Sequence, residues 1–360
     1  MSIEVCKTAH GADITLPVRR STGRHARIGA TLGCLLGGLL SCLLSCLLLC
    51  AACAAAPVAG PPVFPLRAVH VLVPFPPGGT TDALARILAE RLTERWQQPV
   101  LVENQPGANG IVAAEAASRA PADGYTLLFS PLGPIAINAL LYRKLPYTPN
   151  SFVPLSLAGT LPSVLAVRSA LPATRAPALI ALLRAAPEQY TYGSQGVGST
   201  SHLTAVMFEA AAGVRLLHIP YNGSQPALND LAGGRIDLFF DNISTPLPLH
   251  RASRVRILAV ASLHRAPLLP EVPTLDEAGL KGFESSTANL LVAPAGLAPA
   301  LARQIGDAAD AAMAEPEVRA RLDTLGVDPR GGMNRDAARY VAEQTLRWRK
   351  VIEGARIHVD

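Results

Sequence analysis

The chain has 360 residues, of which 49% are hydrophobic and 16% are charged, so it is long enough for two domains or one large one. Its formal net charge is +5, but residues 1–56 carry five Lys or Arg against two Asp or Glu (5 − 2 = +3), which leaves +2 for the rest. Because that remainder has no Lys/Arg stripe with interleaved aromatic residues, we expect no nucleic-acid partner.

The first 60 residues are typical of an export signal. A basic segment ends at Arg27, residues 28–66 contain no charged side chain, and small residues fill Ala51–Ala56. We therefore expect an export leader over residues 1–60; the family resemblance given below implies that the exported protein is periplasmic. Two alternatives stay open: a retained membrane helix, and a lipid anchor at a cysteine such as Cys46, which follows Leu-Leu-Ser. All six cysteines lie before residue 54, so the body cannot use a disulfide or a Cys nucleophile.

The first part of the body alternates strands and helices. An apolar strand at Val69–Val73 is followed by a proline- and glycine-rich loop and by a helix that reaches Trp96. Further along, the patterns predict a strand at 100–102, a turn at 104–110, an alanine-rich helix to 120 and a strand at 125–129. Strand, loop, helix and strand in this order favour a parallel sheet with helices on its faces.

The rest of the body continues in the same way. Strands are predicted at 164–167, 190–192, 216–219, 236–240 and 257–261, with helices at 176–185, after 202, and at 226–231, 299–314 and 335–351. No fixed-period repeat is present. The sequence therefore predicts an α/β fold of doubly wound character.

Three loops share one form, in which a strand end leads through glycines into hydroxyl residues that open a helix. They are Pro76–Asp82, Gly193–His202 and Tyr221–Ser224. The first N–H groups of a helix have no partner within it, and the helix dipole favours an anion there. In open α/β sheets such loops lie at the carboxyl ends of the strands, where ligands bind. We expect two of these helix starts to hold one carboxylate without help from Arg or Lys.

Structural interpretations of the same residues also stay open. The glycine-rich loops can be plain turns, and His202 can be a capping histidine rather than a ligand contact. Asp82 can simply sit in a helix first turn, and Asp241 can be a turn residue after a buried strand. Motifs for nucleotide binding, zinc proteases and serine hydrolases are absent, and the histidines have no metal-ligand spacing. We therefore expect no enzyme, no metal site and no cofactor.

From about residue 64 to 360, motifs in a fixed order resemble one known family. They include Val73-Pro-Phe-Pro-Pro-Gly-Gly-Thr-Thr-Asp82, Val102-Glu-Asn-Gln-Pro-Gly-Ala108, Asp123-Gly-Tyr-Thr-Leu-Leu128, Tyr192-Gly-Ser194, Pro220-Tyr221 and Pro270-Glu-Val-Pro-Thr274. The chain resembles the Bordetella uptake gene (Bug) family, the substrate-binding receptors of tripartite tricarboxylate transporters.

The resemblance implies a periplasmic-binding-protein (Venus flytrap) fold, with two α/β lobes and a ligand cleft between them. We expect residues 64–165 and 288–360 to form the first lobe and 166–287 the second. The implied partners are a small organic carboxylate and membrane transporter subunits, or a sensor kinase if the receptor feeds a signalling system. The implied ligand-binding residues are Phe75, Gly78, Gly79, Thr80, Thr81, Asp82, Ser130, Ser194, Gly198, Ser199, His202, Tyr221, Gly223 and Asp241.

Three positions depart from the family pattern. Asn222 stands where a lysine is usual, so we expect a positive charge to be lost beside the cleft. Ala288 replaces a common tryptophan, and Leu132 stands where Thr or Gly is frequent. We expect the missing tryptophan at Ala288 to widen or reshape the pocket, and Leu132 to make the pocket wall more apolar.

Overall fold

The computed structural model describes residues 64–328, 334–355 and 357. The predicted leader over residues 1–60 lies outside these residues. The described strands are β1 (Val69–Val73), β2 (Val100–Asn104), β3 (Thr126–Pro131), β4 (Phe152–Arg168), β5 (Thr191–Ser194), β6 (Leu217–Pro220), β7 (Leu238–Asn242), β8 (Val255–Ala261) and β9 (Ser286–Pro294).

The described α-helices are α1 (Thr80–Trp96), α2 (Ile111–Arg119), α3 (Asn138–Leu141), α4 (Ala176–Ala185), α5 (Thr200–Ala212), α6 (Ser224–Ala232), α7 (Leu247–Arg251), α8 (Pro299–Met313), α9 (Pro316–Leu325) and α10 (Asn334–Ala355). A π-helical turn at Gly133–Ile137 leads into α3, and short 3₁₀ turns lie at Ala108–Gly110 and Pro149–Ser151. Strands and helices alternate as the sequence predicted, so the α/β class is confirmed.

The strands lie in the order β2-β1-β3-β9-β4-β7-β5-β6, and β8 also pairs with β4. The β1 strand is parallel to β2 and β3, and β5 is parallel to β6 and β7. The pairs that involve β4 or β9 are antiparallel. Two parallel groups are therefore joined through a pair of antiparallel strands.

The long strand β4 belongs to both groups. Its residues from Phe152 to Pro162 pair with β9, and from Ser163 onward it pairs with β7 and β8. The sequence predicted only the last part of this strand, at 164–167. Pro154 and Pro162 interrupt the earlier part and argue against a central strand. The structure accommodates this segment through two irregularities in its register with β9, at Pro154/Ser156 and Leu157/Gly159.

Each group of strands has apolar clusters on both faces, because alternate side chains of a strand point to opposite faces. In the first group, Phe129 joins the cluster that includes Ile305, whereas its neighbour Leu128 joins the cluster that includes Trp348. In the second group, Phe240 packs with Phe208. Its neighbour Phe239 lies in the opposite cluster. This is the two-lobe architecture that the resemblance implied.

Candidate functional site

The carboxyl ends of β1, β5 and β6 and the loops that follow them surround one cleft. The cleft contains about 590 Å³ of space not filled by atoms, counting the part open to solvent. Its wall is formed by Phe75, Pro76, Pro77, Gly79, Thr80, Thr81, Asn109, Pro131, Gly133, Pro134, Gln195, Ser199, Thr200, Asn222, Gly223, Ser224, Gln225, Asn242 and Thr287. The three glycine-rich loops predicted to act together therefore meet at one place.

No Asp, Glu, Lys, Arg or His occurs among the described residues of this wall. Its polar groups are hydroxyls and five side-chain amides, those of Asn109, Gln195, Asn222, Gln225 and Asn242. A charged ligand in this cleft would have to be stabilised by dipoles rather than by a counter-ion. Asn222 stands on the wall where the family pattern has lysine, so the expected loss of a cation falls directly on the cleft.

Two helices from opposite sides of the cleft begin at its wall. Helix α1 starts after Gly79 and helix α6 after Gly223, and neither N-cap residue supplies a side-chain hydrogen bond to the first turn. The first backbone N–H groups of both helices therefore keep their capacity to donate to an anion. The positive ends of the two helix dipoles add to this preference by about 0.3–1 kcal/mol each, and up to about 2 kcal/mol in a partly buried site.

The loop Gly193–His202 is closed by its own side chains. Ser199 caps helix α5, since its Oγ accepts from the amide of His202 at 3.3 Å. The same hydroxyl lies 2.7 Å from the Gly196 carbonyl, to which it donates. Loop Gln195–Ser199 is therefore held rigidly beside the cleft while Ser199 still contributes to its wall.

The two sides of the cleft are in contact. The Thr80 hydroxyl lies 2.7 Å from the Ser244 hydroxyl, and Gln225 Nε2 donates to the Gly78 carbonyl at 3.0 Å. A further bond joins the Tyr142 hydroxyl to the Val197 carbonyl at 3.2 Å. Gly223 also permits close approach: its φ is +96°, and a Cβ atom there would lie 3.1 Å from Pro76 Cδ. The structure is therefore that of a closed cleft.

The implied ligand-binding residues divide into two groups. Six lie on the cleft wall: Phe75, Gly79, Thr80, Thr81, Ser199 and Gly223. The other eight are not part of this wall: Gly78, Asp82, Ser130, Ser194, Gly198, His202, Tyr221 and Asp241. Members of the second group make hydrogen bonds to other protein groups in this structure.

Asp82 organises the first loop. Its carboxylate accepts from the Gly78 amide at 3.0 Å, from Arg86 Nε at 3.0 Å and from Asn104 Nδ2 at 2.9 Å. Asn104 Nδ2 also donates to the Phe75 carbonyl at 3.0 Å. Burial by itself raises the pKa of Asp82, but the bonds from Arg86, Gly78 and Asn104 outweigh it and hold the pKa below its usual value. Asp82 therefore remains a carboxylate whose charge Arg86 balances.

His202 holds the loop Gly193–His202 in place through its imidazole ring. Its Nδ1 accepts from the Gly198 amide at 3.1 Å, and its ring stacks on His218 with centroids 4.3 Å apart. His218 in turn stacks on Tyr192 at 4.7 Å and lies 2.7 Å from the Ser194 hydroxyl. Burial lowers the pKa of His202 to about 3, with a smaller effect from His218, and burial lowers that of His218 to about 4. Both imidazoles are therefore neutral at pH 7.

Tyr221 and Ser130 are also engaged with protein groups. The Tyr221 hydroxyl donates to Asp230 Oδ2 at 2.8 Å, and burial together with this acidic neighbour raises the pKa of Tyr221 to about 12. Ser130 is fully buried and donates to the Pro131 carbonyl at 2.8 Å. Neither hydroxyl lies on the cleft wall.

Asp241 is buried directly behind the wall. Its Oδ1 accepts from Gln195 Nε2 at 2.5 Å, and its Oδ2 accepts from the Thr245 hydroxyl at 2.6 Å. Burial raises the pKa of Asp241 to about 6, and the hydrogen bonds from Thr245, Ser224, the Asn242 amide and Gln195 counteract part of that effect. The side chains that Asp241 holds include Gln195 and Ser224, which do line the cleft.

Several wall residues were not anticipated from the sequence. Asn109 and Gln195 belong to glycine-rich loops, Asn242 follows Asp241 at the end of β7, and Thr287 lies in β9. The only sequence signal for Asn109 and Gln195 was their place inside glycine-rich loops at strand ends. Thr287 carried no signal, because nothing in its local sequence shows that β9 passes beside the cleft.

Neither Ala288 nor Leu132 lies on the cleft wall, so the expectation that Leu132 makes this wall more apolar is wrong. Ala288 is 2% exposed and Leu132 is 4% exposed, and both lie in the apolar cluster around Leu128 and Leu290 rather than on the wall. The reason at Ala288 is the alternation of a strand, which directs Thr287 to the cleft and its neighbour to the core. Beside Leu132, the wall is formed by Pro131 and Gly133.

Residues 64–328, 334–355 and 357 contain no group of three or more His, Cys, Asp or Glu side chains arranged to hold a metal ion. Across the same residues, no helix combines the length and apolarity that crossing a bilayer requires.

The sequence of residues 84–357 matches the family described as tripartite tricarboxylate transporter family receptor. A protein from the tcbD-tcbE intergenic region of Pseudomonas sp. (strain P51) is 39% identical over 302 residues, which are 82% of this chain and 89% of that protein. Protein BugT of Bordetella pertussis is 33% identical over 298 residues, covering 82% of this chain and 91% of BugT.

Two solved structures share the fold at similar identity. Rpa4515 of R. palustris with adipate has a TM-score of 0.78 at 36% identity, covering 82% of this chain and 99% of that one. MatC from Rhodopseudomonas palustris with bound malate has a TM-score of 0.76 at 31% identity, covering 80% of this chain and all of MatC. The family is one of solute-binding receptors, not of enzymes, which confirms the expectation that this chain is not an enzyme. The chain belongs to the Bug family of tripartite tricarboxylate transporter receptors.

Proposed function

We propose that this receptor binds one small organic carboxylate in the cleft and delivers it to the membrane subunits of a tripartite tricarboxylate-type transporter. In this proposal residues 64–165 and 288–360 form one lobe, and residues 166–287 form the other. The leader over residues 1–60 exports the protein to the periplasm. The role in transport is supported by the description of the family to which the chain belongs.

The observation that carries the proposal is the pair of helix starts that face each other across the cleft. The first-turn N–H groups of helices α1 and α6 have no side-chain caps and lie at the cleft wall. The described residues of this wall include no cationic side chain. Backbone donors and helix dipoles stabilise a carboxylate in such a place. They do so without the desolvation cost of a buried Arg or Lys.

Related structures support the same class of ligand. Rpa4515 was solved with adipate and MatC with malate, and both are carboxylates. Both proteins share the fold of this chain across nearly their whole length. Whether this chain takes adipate, malate or another carboxylate depends on the side chains of its own wall.

The first test is a thermal-unfolding panel on the purified protein with mono-, di- and tricarboxylates of three to six carbons. Each acid is paired with its uncharged amide, which keeps the shape and removes the anion. A ligand at 100 times its Kd adds about 2.7 kcal/mol to the free energy of unfolding, so a bound carboxylate raises the Tm while its amide does not. A panel in which no carboxylate raises the Tm contradicts the proposal.

A pair of variants at Ser224 tests the contribution of the helix start itself. Ser224 is the first residue of α6, a position at which proline fits a helix but lacks the N–H group. Ser224→Ala removes only the hydroxyl, whereas Ser224→Pro removes the hydroxyl and the N–H donor. We expect Ser224→Pro to bind the carboxylate at least about tenfold more weakly than Ser224→Ala. Equal affinities would show that the start of α6 does not hold the anion.

A further inference from the structure

The second loop of the first lobe presents an amide whose oxygen is not used by the protein. Asn109 lies on the cleft wall with left-handed backbone angles, φ 51° and ψ 40°. Its Oδ1 is buried and has no hydrogen-bond partner within the described part of the chain. Buried polar atoms in folded proteins are nearly always paired, so this oxygen at a cleft is free to accept from a bound ligand or water.

The orientation of this amide is fixed by its neighbour. Asn138 is fully buried, and its Nδ2 donates to the backbone carbonyl of Asn109 at 3.2 Å. A carbonyl can only accept, so this bond places Asn138 Oδ1 toward the Asn109 side chain. Asn109 Nδ2 donates to that oxygen at 2.9 Å. The atom of Asn109 that remains is therefore the acceptor, Oδ1.

The opposite lobe presents a second acceptor in the same way. Both hydrogens of Gln195 Nε2 are engaged, one by Asp241 Oδ1 at 2.5 Å and one by the Ser224 hydroxyl at 2.9 Å. Asp241 as a carboxylate can only accept, so it fixes which end of the Gln195 amide faces it. The other end, Oε1, is then the atom that Gln195 offers outside this network.

The two amides share one part of the cleft. Asn109 and Gln195 both line the main cleft and also a side pocket of about 200 Å³ that adjoins it. Asn109 Oδ1 faces the loop after Gln195, since a side chain at Gly196 would come within 3.8 Å of it. The described walls of both spaces lack charged side chains. This region therefore offers two oriented oxygen acceptors, whereas the helix starts offer N–H donors.

We propose that the ligand of this receptor is a carboxylate that also carries a hydroxyl or ammonium donor, which Asn109 Oδ1 and Gln195 Oε1 bind. The inference rests on the proposed function, because the helix starts must hold the carboxylate. A site built to bind a donor rejects the analogue that lacks it, since the acceptors are then left buried and unpaired. A saturated carboxylate without a donor is consequently a poor ligand.

The test is calorimetric titration of the purified protein with matched trios that differ only in the donor. The trios are propionate, lactate and alanine; succinate, malate and aspartate; and glutarate, 2-hydroxyglutarate and glutamate. We expect the hydroxy or amino acid to bind at least about tenfold more tightly than the unsubstituted acid in the trio that fits the cleft. Comparison of the two substituted acids shows whether the donor is a hydroxyl or an ammonium group.

The variant Asn109→Gly assigns the preference to this residue, and glycine suits the left-handed backbone at position 109. We expect it to lower the donor preference by about tenfold or more. Its control is Gln97→Gly, another amide at a left-handed position, which is exposed at the end of α1 and remote from the cleft. If Asn109→Gly does not fold, the comparison of acids in the wild type still decides.

The outcomes separate the two proposals. Unsubstituted acids that bind as tightly as their hydroxy and amino counterparts in every trio overturn the donor inference and leave the carboxylate receptor intact. A donor preference that persists unchanged in Asn109→Gly overturns the assignment to Asn109. No binding by any of the nine acids, nor by the larger thermal panel, overturns the proposed function and the inference with it.

Discussion

Protonation of His202 should destabilise the protein below pH 6.5, and the effect can be isolated with one substitution. Burial lowers the pKa of His202 in the folded protein to about 3, and the smaller effect of the neighbouring His218 acts in the same direction. In the unfolded chain the pKa of a histidine is about 6.5. The unfolded state therefore binds a proton that the folded state does not bind between these values, so stability is lost as the pH falls from 6.5 toward 3.

The magnitude at pH 5 depends only on the unfolded state, because the folded imidazole is still neutral there. Protonating a group of pKa about 6.5 at pH 5 stabilises the unfolded chain by about 2 kcal/mol, against less than about 0.1 kcal/mol at pH 7.5. Lowering the pH from 7.5 to 5 should therefore cost the folded state about 2 kcal/mol through His202 alone. Other groups titrate in the same range, which is why the comparison needs a variant.

His202→Asn provides that comparison. Asparagine Oδ1 can accept from the Gly198 amide in place of His202 Nδ1, but the side chain does not titrate. The loss of ring stacking on His218 and Tyr192 is the same at both pH values and cancels. Urea denaturation of both proteins at pH 7.5 and 5.0 should show about 2 kcal/mol less pH dependence in the variant. Equal pH dependence, or an NMR titration of His202 with a pKa near 6.5, would refute the reasoning.

Three further outcomes are expected. Burial raises the pKa of Asp241 to about 6, so this group contributes about 1.3 kcal/mol more to the free energy of unfolding at pH 5 than at pH 7. This pH dependence has the opposite sign to that of His202. In urea denaturation, Asp241→Asn should lack this contribution. Gly223→Ala places a side chain at φ +96° and 3.1 Å from Pro76 Cδ across the cleft. The free energy of unfolding should therefore fall by about 1–2 kcal/mol, and calorimetry should show weaker carboxylate binding. Unchanged affinity would mean that Pro76 moves away from the new side chain. Thr80→Val removes the hydrogen bond to Ser244 across the cleft and should weaken ligand binding about two- to tenfold. The control, Thr204→Val, removes a hydrogen bond to Ser285 outside the cleft wall and should lower the Tm with little change in affinity. Equal losses of affinity in the two threonine variants would exclude a specific role for Thr80 in closure.

Among the ligand-binding residues that the family resemblance implied, the structure separates those that form the wall from those that support it. Asp82 and Asp241 are both acidic residues close to a proposed anion site, yet neither lies on the cleft wall. The charge of Asp82 is balanced by Arg86. The carboxylate oxygens of Asp241 accept hydrogen bonds from Gln195, Thr245 and the Asn242 amide. The negative charges nearest to the cleft thus serve to fix the loops that carry its donors and acceptors.

The sequence alone predicted the alternation of strands and helices over much of the chain and the three loops at strand ends, because those features depend on local periodicity and on backbone freedom at glycine. It did not predict the strand Ser286–Pro294. The strand at Val69–Val73 and the helix at Ala176–Ala185 have the predicted bounds. The full length of β4 was missed, because Pro154 and Pro162 argue locally against a strand that pairing with β9 nevertheless maintains.

Only the tertiary structure decided which side chains face the cleft. His202 and Gln195 lie seven positions apart around one glycine-rich loop, and nothing in their spacing shows that Gln195 reaches the wall while His202 stacks behind it. Thr80 meets Ser244, and Asn109 meets Asn138, through contacts between distant parts of the chain. Local sequence limits what a loop can do, but the competition among hydrogen-bond partners is settled only by tertiary contacts, and among the described residues those contacts leave Asn109 Oδ1 without a partner.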